Sequence, residues 1–133
     1  MKKHDNYLSA LETLKQAPEQ DLDKEFVQGG VIAKFSIQFE LGKKLLKELL
    51  AYEGDAADAT GSPRDVIKAA YRCYDFMDED IWLEMLRSRN ETARIYDSTA
   101  TKRLVGTIIS VYIPEFVRLQ EGLEERYGAM LRE

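Results

Sequence analysis

Apolar residues recur along the chain in steps of three and four, the spacing that lines one side of an α-helix. Strand-like alternation and hairpin signals such as Asn-Gly are absent from the sequence. Leu8, Leu11 and Leu14 predict a short first helix over about Asp5 to Gln16, ended by Pro18. The acidic linker Glu19–Glu25 leads to a longer helix, about Phe26 to Glu53, with Phe35, Phe39, Leu46 and Leu49 as its stripe and Leu45 and Leu50 beside them. Gly42 costs that helix about 1 kcal/mol relative to alanine, which marks it as a point of close helix approach. Gly29-Gly30 is a potential break near the start of the same segment.

Gly54 to Gly61 is small and polar, a loop. Ser62-Pro63 reads as an N-cap and first helical residue, opening a third helix that runs to about Tyr74 and buries Val66, Ile67, Ala70 and Tyr71. Asp78 is placed to cap a fourth helix carrying Ile81, Trp82, Met85 and Leu86. After a turn at Asp97-Ser98, the stripe Val105, Ile108, Tyr112, Phe116, Leu119 and Leu123 predicts the last helix, kinked locally by Pro114. These elements predict an all-α fold: an antiparallel, up-and-down four-helix bundle with an additional short helix, in a single domain over residues 1–133. A bundle is a scaffold, so function has to come from a site upon it.

Composition removes several kinds of site. The single Cys73 excludes a disulfide framework within one chain and reads as a half-buried small residue. The single histidine, His4, falls in what reads as a polar N-terminal tail, which argues against histidine chemistry inside the fold. Glu40 has no histidine three residues on, so the ferritin-like metal set is missing. Asp75, Asp78, Glu79 and Asp80 are read as a solvated helix start rather than a cation site. No phosphate-binding glycine loop, dinucleotide fingerprint or Cys-x-x-Cys pair occurs, and neither a metal nor a cofactor is expected. The apolar run Val105–Ile113 is far short of the roughly 20 residues that cross a bilayer, so the expectation is a soluble, cytoplasmic protein. Twenty-four acids against nineteen bases leave a formal charge of −5, which opposes broad nucleic-acid binding but permits a local basic patch.

One segment supplies such a patch. Trp82, Met85, Arg89, Ala93 and Tyr96 fall on one helical stripe, which sets a permanently charged guanidinium among apolar neighbours. Arg89 then needs an anion, an aromatic face or solvent. Arg87, Arg89, Asn90 and Arg94 together offer donors for a phosphate or carboxylate ligand. The competing reading is an ion pair with an acid such as Glu40 or Glu84, between helices or between protomers.

From this segment outward the chain resembles the nucleotidyltransferase substrate-binding subunits, small helical proteins of the HEPN superfamily encoded beside a minimal nucleotidyltransferase. The resemblance rests on Phe35-Ser-Ile-Gln-Phe-Glu-Leu-Gly-Lys-Lys, on Gly61-Ser-Pro-Arg, on Trp82-Leu-Glu-Met-Leu-Arg-Ser-Arg-Asn and on Tyr96-Asp97, in the family's order. It runs from about Val31 to Tyr127, which makes residues 26–127 the core and residues 1–25 an N-terminal helix and linker.

Three positions depart from the family pattern: Ser36 replaces a glutamate, Lys43 a tryptophan and Arg94 the histidine of Arg-Asn-x-x-x-His-x-Tyr. Arginine stays charged and cannot act as the base of a HEPN ribonuclease, so no catalytic residue is expected. The resemblance therefore implies a non-catalytic substrate- or nucleotide-binding subunit. It would act as a homodimer, in a toxin–antitoxin-type gene pair with a nucleotidyltransferase, on a nucleotide or RNA ligand held by Arg89, Asn90, Arg94 and Arg87. Tyr96 occupies the position that such partners modify with AMP in toxin members, and a purely structural tyrosine is the alternative there. A ribonuclease toxin and a helical interaction module without a nucleotide ligand are the competing functions.

Overall fold

The computed structural model describes residues 1–55, 61–92 and 97–133, and every regular element among them is helical. Helix α1 spans Lys2–Leu14, and a 3₁₀ turn at Ala17–Glu19 carries Pro18. Helix α2 spans Glu25–Tyr52, α3 Pro63–Cys73 and α4 Glu79–Glu91. A final rod combines α5 (Ser98–Thr107), a π-turn (Ile108–Tyr112) and α6 (Ile113–Tyr127), and a 3₁₀ turn at Gly128–Arg132 follows it. Helix α2 touches α1, α3, α4 and α5, while α1 also packs on α6. The expected all-α bundle is what forms.

The core is aromatic at its centre. Trp82 lies 5.9 Å from the Phe39 ring and 5.6 Å, edge-on, from Phe116, while Tyr112 stacks on Phe35 at 5.1 Å. Gly42 makes this possible: a Cβ there would sit 3.2 Å from Trp82 and 3.3 Å from Tyr7, as close approach of helices requires. Tyr7, which the leucine pattern did not single out, is fully buried and donates its hydroxyl to the Phe116 carbonyl at 2.7 Å. Helix starts follow the local signals. Asp78 accepts from the Ile81 amide at 3.1 Å and Asp97 from the Thr99 amide at 3.0 Å, caps each worth about 1 kcal/mol.

Tertiary packing corrects the sequence reading in several places. Gly29-Gly30 does not break α2: Gln28 and Val31 on either side are buried, and the Gln28 side-chain Nε2 donates to the Leu22 carbonyl at 2.8 Å. Tyr71 is not a core residue but 46% exposed, although Ile67 one turn before it is buried. Tyr74 takes its place: the chain leaves α3 there in an extended conformation, which turns the ring inward to a hydroxyl contact with Tyr127 at 2.6 Å. Immediately before Pro114, which has no amide donor, the rod widens into the π-turn, and the Ile113 amide donates to the Ile108 carbonyl. His4 is not in a tail. Helix α1 begins at Lys2, and His4 is 4% exposed, with no hydrogen-bond partner on either ring nitrogen among the described residues; burial holds its pKa below the ordinary value. Cys73 is half-buried, as read.

Candidate functional site

Helix α4 delivers the site. Its Asp78 cap fixes the start, Trp82 and Met85 anchor one side in the core, and the next residue along that side is Arg89. The Arg89 guanidinium donates from Nη1 to Glu40 Oε2 of α2 at 2.5 Å and lies 5.1 Å from the centre of the Phe39 ring. Glu40 also receives Lys43 Nζ on its other oxygen at 2.8 Å. Partial burial alone would push the Glu40 carboxyl up, but Lys43 first and Arg89 second outweigh it and hold the group below its usual range. The acid is therefore an ionised counter-ion shared by two cations, and the cluster keeps an excess of positive charge at the surface.

The remaining residues of the last turn point elsewhere. Arg87 and Asn90 are exposed on either side of Arg89. Ser88 meets Tyr112 at 2.8 Å, and the Tyr112 hydroxyl donates to Glu84 at 3.0 Å, a chain that joins α4 to the π-turn. Burial, together with the neighbouring Glu84 carboxylate, raises the Tyr112 pKa to about 12, so this hydroxyl stays protonated. A hollow of about 270 Å³ opens beside it, with Glu91 on its α4 wall and Arg103 and Thr107 on its α5 wall. Thr92, the last described residue of this segment, donates its hydroxyl to the Arg89 carbonyl at 2.8 Å. Ala93, Arg94 and Tyr96 lie outside the described residues, so two of the expected ligand and modification positions have no geometry here.

Sequence reasoning thus located Arg89 and named Glu40 among its possible partners. It missed Lys43 as a second cation on that acid, although the spacing Glu40–Lys43 is an ordinary i,i+3 pair. The Ser88–Tyr112–Glu84 chain left only a faint trace, the i,i+4 spacing of Glu84 and Ser88, and nothing in the sequence marks Arg103.

The acidic junction behaves as a helix start. Asp78 caps α4, and Glu79 stands 3.8 Å from Lys68. A buried acid went unread: Glu115 of α6, which accepts from the Asp78 amide at 2.9 Å and the Trp82 indole at 3.1 Å, and also binds Arg118. Its signal was an acid inside the apolar stripe Tyr112, Phe116 and Leu119.

No described helix is long and apolar enough to cross a membrane. No curated protein matches the chain. A family model does match: residues 2–125 fit the one described as nucleotidyltransferase substrate binding protein like, a span that takes in α1 as well as the segments that carried the resemblance.

Proposed function

The chain belongs to the nucleotidyltransferase substrate binding protein-like family, and on that premise we propose that it is the non-catalytic binding subunit of a two-protein system whose chemistry is performed by a separately encoded minimal nucleotidyltransferase. In this reading it is a homodimer of the HEPN type, in a toxin–antitoxin-type gene pair, and it holds an anionic nucleotide or RNA ligand through Arg89, Asn90, Arg94 and Arg87. The observation that carries the reading is the Arg89–Glu40–Lys43 cluster. One carboxylate orients the guanidinium at the surface without neutralising the two cations around it, leaving donors suited to a phosphate. Arg94 adds positive charge where the family has histidine, which favours holding RNA over cutting it. Tyr96 is the proposed acceptor of an AMP group from the partner.

Two measurements test this. Coexpression with the product of a neighbouring nucleotidyltransferase gene should yield a complex that survives purification, and two proteins that remain separate at micromolar concentration would remove the partner. ATP, other nucleotides and short RNAs should raise the melting temperature, since a ligand at a hundredfold over its Kd stabilises by about 2.7 kcal/mol. That shift should vanish in Arg89→Ala. The pairing of Arg89 with Glu40 also supports a second reading, an interaction module in which the ion pair is purely structural. A melting temperature unmoved by any of these ligands would favour it.

A further inference from the structure

Helix α2 has two unlike halves on its outer side. From Glu40 onward that side carries Lys43, Lys44, Lys47 and Glu48, as a solvent-facing helix should. The turns before it carry instead Phe26, Gly29, Gly30, Ala33 and Ile37, opposite the buried stripe of Val31, Phe35 and Phe39. Phe26 is 94% exposed and Ile37 55%. Phe26 also borders a hollow of about 300 Å³ whose apolar wall is Leu14, Ala17, Val27 and Val31. A helix apolar on both sides is one that is covered on both sides.

The two glycines sharpen the point. Each costs the helix about 1 kcal/mol relative to alanine. A Cβ at either position would meet nothing within 4 Å among the described residues, and neither has a positive φ, so those residues give no reason for them. A second backbone passing close over this stretch does give one.

We infer that this face is the contact between two copies of the chain, with the α2 helices crossing antiparallel over Gly29, Gly30 and Ala33. The face suits itself, as a two-fold contact must. It carries both the projecting ring, Phe26, and the small residues and hollow that can seat one. Its ends are opposite in net charge: Asp21, Asp23 and Glu25 outweigh Lys24 on the way into the helix, and Lys34, Lys43 and Lys44 outweigh Glu40 farther along it. An antiparallel crossing sets the acidic approach of one copy toward the basic half of the other, whereas a parallel one sets acid against acid.

The inference takes up the homodimer of the proposed function but stands on this helix face, and its test needs no nucleotidyltransferase. Sedimentation velocity over a concentration series should give a dimer for the unaltered chain and a monomer for Phe26→Glu, with at least a tenfold rise in Kd for Gly30→Leu. Because a side chain at position 30 has open space in the monomer, Gly30→Leu should keep its helical circular dichroism, which separates a lost contact from a lost fold. Gly29→Ala with Gly30→Ala should raise the melting temperature of the dilute monomer while weakening the dimer. A chain that stays monomeric, or a dimer indifferent to Phe26→Glu and Gly30→Leu, would overturn the assignment. A monomer that binds the nucleotidyltransferase, and loses it in Phe26→Glu, would give the face to that partner and leave the proposed function standing.

Discussion

Two glutamates, Glu40 and Glu115, each hold an arginine, and the fold drives their acidities in opposite directions. Glu40 is partly exposed and sits between Lys43 and Arg89, whose combined pull outweighs burial and lowers its pKa. Glu115 is 1% exposed, and burial prevails over its bonds to the Asp78 amide, Arg118 and the Trp82 indole, raising its pKa. The contrast separates two uses of a carboxylate. One is a fixed counter-ion at a part-exposed surface. The other is a pin that ties the α3–α4 junction to α6 and satisfies a buried indole.

The largest effect should come from removing the pin. Glu115→Ala strands the Trp82 indole N–H and the Asp78 amide, at a cost of about 2–4 kcal/mol in urea unfolding. Glu115→Gln, which keeps an acceptor, should recover much of that loss. Arg89→Ala should cost about 1 kcal/mol or less, because the pair is part-exposed and Lys43 stays on Glu40. If Arg89→Ala proved the more damaging of the two, the ion pair would be structural and the site reading would fail.

The gentlest test is pH. The lowered pKa of Glu40 contributes stability that is present above its ordinary value and lost as acid carries the pH down through the folded one. Glu115 has the opposite sign: its raised pKa makes stability fall as pH rises from the ordinary carboxylate value through the folded one, a slope that Glu115→Gln should erase. His4 adds a third slope. Burial lowers its pKa, so the unfolded chain binds the proton first and stability falls as pH drops below about 6.5. Thermal melts from pH 7.5 downward should show that loss, and His4→Leu should flatten it.

These particulars also show how far the chain could be read in advance. Helix starts were legible because their causes are local. Asp78 caps α4 and Pro63 opens α3 as read, while Asp97, read only as a turn residue, proves to cap α5, and Ser62 takes the N-cap position of α3 without a side-chain bond. Gly42 was legible as a close approach, though not the Trp82 ring that fills it. Burial was less legible. Tyr71 and Tyr74 differ by three residues, and only the extended backbone at Tyr74 decides which ring turns inward. His4 looked like tail because charged residues surround it in sequence, while Glu124 from the far end of the chain acts on its ring and the N-terminal ammonium holds the Leu131 carbonyl at 3.0 Å. In the candidate site Arg89 stood out as a charge on an apolar stripe. Its two-cation arrangement with Glu40 did not, because residues 40 and 89 become neighbours only when α4 packs on α2.

Periodicity and capping chemistry are short-range, and they settled the helical class, most of the helix starts, the aromatic and leucine stripes and the motifs that carry the family. Contacts between residues far apart in sequence are set by which helix faces meet, and no local pattern encodes that choice. Packing alone made Glu40 an ionised counter-ion and Glu115 a buried pin, turned Tyr74 inward in place of Tyr71, and left Phe26 exposed on an outer face of α2.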